Sequence, residues 1–476
     1  ENEWAPILTQ ICFPYMILGD FNAHSPSWGS KITNQLGWII SGPIKIHHKK
    51  RPEVNPARFQ NHEEKACEAD FVATHSRESN GRYVVSLPRR PYVGQLGDSL
   101  NTAEKRFKNL EKKFLINPEL KLQYVQFMRE YEQLGHMELC DKRKGDRQSY
   151  FLPNHVVIKE TSTTTKVRVV FDGSAKTSTG ISLNDALMVG AVIQKDLYSH
   201  LLRFRKHRYV MTADIEKMYR QINVCAADRS LQKIVWRESQ EEELRHYKLK
   251  TVTYGLGPSS FLATRCLRQI GMDNEVNFPV ASQVIENDFY MDDLLTGGDD
   301  LEVCFKLKKQ ICDILLSAGM ILRKWRSNIL ELSSGRSQGE INGKILGLIW
   351  NNELDYLSYE ITKPSGKTES KRQILSCIAS TFDTLGLLGP IVVSKASWDN
   401  ILPWRAYLDQ LSQLNVLKIP RGVISGTPKN IQLHGFCDAS QKAFGVCAYI
   451  VSTDSEGKRH AQLVTLKQRC CRSLKK

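Results

Sequence analysis

The sequence predicts an α+β fold, and three observations carry that prediction. Between Leu100 and Leu134 apolar residues recur at three- and four-residue steps, the spacing of helices buried on one face. From Phe151 onward, short apolar runs separated by polar turns read as β-hairpins. Helical stretches at Pro258 to Gln269 and Asp299 to Ser317 stand between those hairpins.

Six segments follow from this pattern: 1–30, 31–60, 61–150, 151–340, 341–428 and 429–476. The first is apolar, then turn-rich. The second holds a short strand candidate, Leu36 to Ile40, and a basic, proline-containing linker from His47 to Pro56. The third is helical. One helix carries Leu100, Ala103, Phe107, Leu110 and Phe114 after Ser99 or Asn101 as a cap. The next starts at Pro118, carries Leu120, Tyr124, Phe127, Tyr131 and Leu134, and stops at Gly135.

The fourth segment is the richest. Val156 to Lys159 and Val167 to Phe171 are expected to pair around the polar TSTTT turn, and Tyr209 to Ile215 to form a strand running into a short helix. Leu231 to Trp236 and Tyr247 to Tyr254 form a second hairpin. Val284 to Met291 and Leu294 to Thr296 form a third, with Asp292 and Asp293 at its turn. Asp299 and Asp300 cap the helix that ends near Gly319. In the fifth segment Ile345 to Trp350 is a strand, Ser370 to Leu385 a helix and Lys418 to Lys429 a basic linker; the last segment alternates like strands again.

The 476 residues are 41% hydrophobic and 25% charged, which suits a globular chain of several domains. No stretch approaches the length of a membrane span, and residues 1–30 lack the basic start and apolar run of a signal peptide, so neither is expected. The first residue is Glu1 rather than Met, as expected of a fragment or of a coding region whose start lies elsewhere. The net charge of +15 suits a polyanion-binding surface, because Lys and Arg release condensed counterions from phosphates. Twelve cysteines form no CxxC pair and no zinc spacing, and are read as reduced thiols of a cytoplasmic or nuclear protein.

The chemistry concentrates in two runs: MTADIEKMY from Met211 to Tyr219, and FYMDDLL from Phe289 to Leu295. In one, an apolar strand delivers Asp214 at its end. In the other, Asp292 and Asp293 sit at the turn of a tight apolar hairpin. Carboxylates placed so repel one another and lose hydration. A hard divalent cation relieves both costs, and a pair of such ions stabilises the attacking and leaving oxygens of phosphoryl transfer. An acidic turn of this kind is also compatible with a plain solvated loop.

The YMDD run Tyr290 to Asp293 resembles the hairpin of reverse transcriptases, and four further elements appear in that family's order. They are the Asp214 strand, TYGLGPSSF (Thr253 to Phe261), KVRVVFD (Lys166 to Asp172), and the pair GMILRK (Gly319 to Lys324) and KILGL (Lys344 to Leu348). The finer resemblance is to the BEL/Pao group of LTR retrotransposons. It rests on GRYVVSLP (Gly81 to Pro88), LGHM (Leu134 to Met137), VRVVFDGSAKT (Val167 to Thr177), SLNDALMVG (Ser182 to Gly190), FDTLGLLGP (Phe382 to Pro390) and FCDAS (Phe436 to Ser440).

The resemblance implies a right-hand polymerase with fingers and palm over 151–340, a thumb or connection region (the A17-type peptidase family region) over 341–428, and a truncated RNase H-like α/β start over 429–476. It implies an RNA-directed DNA polymerase that adds deoxynucleotides to a primer on an RNA or DNA template. Two Mg²⁺ ions, or Mn²⁺, would be held by Asp214, Asp292, Asp293 and the carbonyl of Ile215. Lys166, Arg168, Tyr219, Tyr254, Gly255 and Lys324 would contact the nucleotide. Tyr219 would exclude a ribose 2′-hydroxyl and Lys324 would meet the pyrophosphate. The parent element would work in a virus-like particle; oligomeric state is not implied. Two other readings stay open: a decayed fragment without activity, and a non-enzymatic binder whose salt-sensitive binding ignores the aspartates.

Both ends carry further resemblances. ILGDFNAHSPSWG (Ile17 to Gly29) resembles the GDFN segment of the endonuclease/exonuclease/phosphatase family, with Asp20, Asn22 and His24 as the matching residues. Residues 1–30 are too few for that fold, so an inactive remnant is expected. Residues 32–44 resemble the closing strand of a Pao-type aspartic peptidase. No Asp-Thr/Ser-Gly tripeptide occurs in the chain, and no peptidase activity is expected. Asp438 in HGFCDAS resembles the first metal-binding carboxylate of RNase H; with the others unmatched, no RNase H activity is expected.

Overall fold

Tyr209–Ile215 is the strand around which the molecule is organised. In the computed structural model it lies third in a four-stranded antiparallel sheet of order Phe289–Tyr290, Asp293–Gly298, Tyr209–Ile215, Leu322–Ser327. The structure describes residues 15–20, 40–43, 61–91, 94–140, 148–158, 167–333, 342–360, 373, 383–387, 415–424, 426, 428–439 and 443–470.

The central sheet is covered on both faces. Met211, Ala213, Ile215 and Leu294 join the main core, with residues of the helices Ser259–Asp273, Pro279–Asn287 and Leu301–Ser317. Val210 and Leu295 join a second cluster with Leu201, Phe204, Leu348 and fully buried Trp350. Burial on both faces explains why Val210 and Met211 are consecutively apolar instead of alternating. The helix Leu301–Ser317 starts at Asp300, whose carboxylate accepts from the Val303 amide at 3.0 Å. Asp299 does not share in the cap; it accepts from the Arg208 amide, at the mouth of the Asp214 strand.

The helices Leu100–Ile116 and Pro118–Gln133 and the hairpin Asn154–Ile158 with Val167–Phe171 form as the sequence predicts. Several expectations fail for identifiable reasons. Val284 to Met291 is not a strand: Pro279–Asn287 is a helix, with Ala281, Val284 and Ile285 buried at helical spacing and Pro279 at its first position. Only Phe289–Tyr290 remains to pair as strand. Ile345 to Trp350 is broken into the strands Asn342–Ile345 and Leu348–Asn351 by a turn at Leu346 and Gly347, both at positive φ. The helices His62–Thr74 and Leu197–Lys206 were not foreseen. The first has almost no amphipathic pattern. The second is apolar toward two clusters at once, through Leu201 and Leu202. The Leu36 to Ile40 strand and the Ser370 to Leu385 helix fall mostly outside the described residues.

A second, five-stranded sheet has the order Ile40–Pro43, Tyr15–Asp20, Asn430–Ala439, Ala443–Thr453, Arg459–Cys470. Tyr15–Asp20 runs parallel to Asn430–Ala439; the other pairs are antiparallel. Two buried arginines join this part of the chain to the helix Leu197–Lys206. Arg205 donates to the carbonyls of Pro420, Arg421, Leu463 and Val464. Arg421 donates to the carbonyls of Phe204, His207 and Arg208 and forms a two-pronged ion pair with Asp355. Burial lowers the Arg205 pKa to about 10, so the guanidinium keeps its charge at neutral pH.

Candidate nucleotidyl-transfer site

The register of the central sheet decides which carboxylates meet. Asp293 is the direct cross-strand partner of Asp214, which places their Cβ atoms about 5 Å apart on one face. Asp292 lies at the turn, where its carbonyl accepts from the Ile215 amide at 2.9 Å. The turn requires Met291 at φ 55°, a left-handed conformation that few non-glycine residues adopt. Neighbouring strand ends therefore carry all three carboxylates into one place.

Their electrostatics follow from crowding. The Asp292 and Asp293 side chains reach solvent, yet protein surrounds enough of them that lost hydration raises both pKa values. Repulsion from Asp292 and Asp214 adds to the effect on Asp293, which is pushed up to about 7. The opposing charges are Lys324, whose Nζ stands 3.3 Å from Asp214 Oδ2, and Arg168, which bears on Asp292. Lys324 also has positive φ, at a bulge in Leu322–Ser327 that turns it toward the aspartates. Among the described residues, no group of three or more His, Cys, Asp or Glu is gathered tightly enough to hold a metal as the side chains stand. The donor chemistry still suits a hard divalent cation: three carboxylates, no thiolate or imidazole, and a negative charge the neighbours only partly balance.

The expected nucleotide contacts surround this group. Arg168 is exposed on Val167–Phe171, between the buried Val167 and Val169. Tyr219 lies in the 3-10 turn Met218–Gln221, with its hydroxyl 3.3 Å from Ser260 Oγ. Burial raises its pKa and Asp292 adds to the shift, so the ring stands within electrostatic reach of the carboxylates. Tyr254 packs edge-on against Tyr219, centroids 6.5 Å apart, and donates its hydroxyl to the Val169 carbonyl at 2.6 Å. With that hydroxyl committed, Tyr254 offers a ring surface instead of a free donor. Gly255 has φ +100°, and a Cβ there would meet the Phe171 carbonyl oxygen at 2.4 Å, so only glycine fits.

Lys166, Asn22 and His24 lie outside the described residues. Asp20 ends the strand Tyr15–Asp20 and Asp438 is next to last in Asn430–Ala439, both in the five-stranded sheet.

Sequence reasoning missed Asn184. Its side chain donates to Gly255 O at 3.1 Å and to Ser174 Oγ at 2.9 Å, and accepts from Gly257 N at 2.9 Å, clamping the 254–257 loop. The SLNDALMVG run marked the neighbourhood without singling out the residue. Gln194, which no pattern marked, bonds the backbone on both sides of Tyr290. Beside the hairpin opens a cleft of about 450 Å³ lined by Tyr290, Met291, Asp292, Asp293, Leu346 and Gly347.

Comparison with known proteins bears on this geometry. Residues 157–361 match the reverse transcriptase (RNA-dependent DNA polymerase) family, and residues 370–476 match the Pao retrotransposon-like RNaseH-like domain. No curated protein matches. Among solved structures, that of the foamy viral protease-reverse transcriptase in complex with RNA/DNA hybrid is similar, with TM-score 0.50 and 13% identity over 91% of this chain. The match takes in 54% of that protein, so this chain spans about half its length. At such identity the likeness speaks for the fold, that of a reverse-transcriptase-type polymerase. The two family matches support a Pao-type retrotransposon reverse transcriptase. The endonuclease/exonuclease/phosphatase resemblance of residues 17–29 gains no support from them.

Proposed function

We propose that this chain is the polymerase region of a Pao-type retrotransposon and extends a primer 3′-hydroxyl with deoxynucleoside triphosphates on an RNA or DNA template. The observation that carries the reading is the register: Asp214 opposite Asp293, with Asp292 at the adjoining turn. In the terms of a right-hand polymerase, the central sheet and its helices are the palm, and the Asn154–Ile158 and Val167–Phe171 hairpin belongs to the fingers.

Asp214, Asp292 and Asp293 would hold Mg²⁺, with the Ile215 carbonyl as a further ligand. Bound there, Mg²⁺ supplies the positive charge that favours an attacking alkoxide and a departing pyrophosphate. The chain's own groups do the rest. Arg168 is exposed, and its guanidinium grips phosphate oxygens in two-pronged fashion; Lys166, two residues earlier in the chain, adds a further basic group. The Tyr219 ring, braced by Tyr254 and Ser260, fills the space a ribose 2′-hydroxyl needs. Gly255 lets the loop backbone approach nucleotide and template. Lys324 leaves Asp214 for the pyrophosphate as charge builds on the leaving group. The cleft beside Leu346 and Gly347 opens on the carboxylates and has room for the primer terminus. The net charge of +15 supplies sequence-independent affinity for the template–primer backbone.

The test is primer extension on an RNA template with Mg²⁺ and deoxynucleotides, wild type beside Asp292→Asn. Extension by the wild type that vanishes in the variant supports the reading. Equal extension by both, or salt-sensitive template binding with extension by neither, removes it.

A further inference from the structure

Phe289–Tyr290 is the shortest strand of the central sheet. It is a two-residue strand at the edge of the central sheet, and it leads directly into Met291 at φ 55°. A short edge strand leaves backbone groups unpaired on its outer side. On that side stands the carboxamide of Gln194. Its Nε2 donates to the Phe289 carbonyl at 3.2 Å, and its Oε1 accepts from the Met291 amide at 2.9 Å. The two partners fix the amide orientation, since a carbonyl only accepts and an N–H only donates.

Bonding to the carbonyl of one residue and the N–H two positions later is what a residue of a parallel neighbouring strand does. One side chain thus takes the place of a strand. On the other side, the Ile215 amide bonds the Asp292 carbonyl at 2.9 Å. The turn that carries both aspartates is held between Ile215 and Gln194.

We propose that Gln194 is a positioning residue for the Asp292–Asp293 hairpin: its carboxamide serves as the missing outer strand and keeps Met291 in the conformation that aims both carboxylates at Asp214. The inference rests on the polymerase reading for its catalytic consequence, but not for its structural one. Gln194 is only half-buried and lies outside the main core, so changing it need not disrupt packing.

The test compares wild type with Gln194→Met, which keeps the length and removes both bonds, and Gln194→Glu, which keeps only the acceptor for Met291. Two quantities are read on the full chain: hydrogen–deuterium exchange of the peptide spanning Phe289 to Leu294, and steady-state primer extension with the thermal midpoint as a control. In Gln194→Met, exchange in that peptide should rise about tenfold with other peptides unchanged. The kcat should fall by about tenfold or more while nucleotide KM and the thermal midpoint stay near wild type. Gln194→Glu should lie between. Unchanged exchange in Gln194→Met overturns the proposal, whatever extension does. Faster exchange in a protein whose wild type extends no primer leaves the positioning role standing and removes the polymerase reading.

Discussion

The central four-stranded sheet and the five-stranded sheet each bring an aspartate toward the end of a strand, and in the central sheet the register sets a second carboxylate directly opposite. In the central sheet Asp214 faces Asp293 across the ladder, and the hairpin turn adds Asp292. In the five-stranded sheet Asp438 pairs with Gly445, while the parallel strand sets Asp20 beside Cys437, one residue out of step. Sheet register alternates faces with every residue, so a shift of one would move Asp293 off the face it shares with Asp214. A lone acidic residue on a strand says little about chemistry. A carboxylate pair at a turn whose register meets a third carboxylate says much more.

The sharpest way to break that comparison is to neutralise one aspartate in each sheet. Asp293→Asn should lower primer extension by about a thousandfold or more, since a charge aimed at the reacting phosphate is lost. Asp438→Asn should leave extension at the wild-type rate. Comparable losses in both would dissolve the distinction between the sheets.

The next effect concerns whether the two sheets fold as one unit. Arg205 satisfies four carbonyls from the C-terminal part of the chain, and Arg205→Met leaves them unpaired in a buried place. A loss on the order of 3 kcal/mol is expected, read as a lower urea midpoint. Two separate transitions in the variant would show that the arginine bolt couples the regions.

Substrate choice follows. Tyr219→Val opens the space beside Asp292, and discrimination against ribonucleotides should fall by about a hundredfold. Competing deoxy- and ribonucleotides in single-nucleotide incorporation measures it, and unchanged discrimination removes the steric role.

The smallest effect is on pH. His200 is buried against Tyr290, and neither ring nitrogen has a hydrogen-bond partner among the described residues. Burial lowers its pKa to about 4 from an unperturbed value of about 6.5. The unfolded chain binds this proton first as pH falls. Its contribution is therefore fully present above about pH 6.5 and is lost on acidification toward pH 4, at about 1 kcal/mol per pH unit. The urea midpoint of wild type should fall relative to that of His200→Phe as pH drops through that window; parallel curves would mean that folding does not perturb the ring's titration.

Much of the fold was legible in advance. The helices Leu100–Ile116 and Pro118–Gln133 have single apolar stripes, and the hairpin Val167–Phe171 alternates cleanly. The reading failed where local pattern is ambiguous. Val284 and Ile285 are β-branched neighbours of a hairpin, yet Pro279 and the spacing of Ala281, Val284 and Ile285 place them in a helix. The break between Ile345 and Leu348 is marked in the sequence only by Gly347; the positive φ of Leu346, a non-glycine residue, leaves no compositional trace.

By itself, the sequence singled out the residues of the candidate site: Asp214 at the end of an apolar strand, Asp292 and Asp293 at a turn, Arg168 in a short apolar run, and a glycine at 255. These are properties of local pattern, and chain order preserves them. Tertiary structure alone decided that Asp293 faces Asp214, that Tyr254 commits its hydroxyl to Val169, that Asn184 and Gln194 hold the loops, and that Arg205 reaches the far sheet. The reason is physical. Each of these is a pairing between groups distant in the chain, made by strand register or by the directional need of a polar group to find a partner, and neither leaves a periodic trace in the sequence.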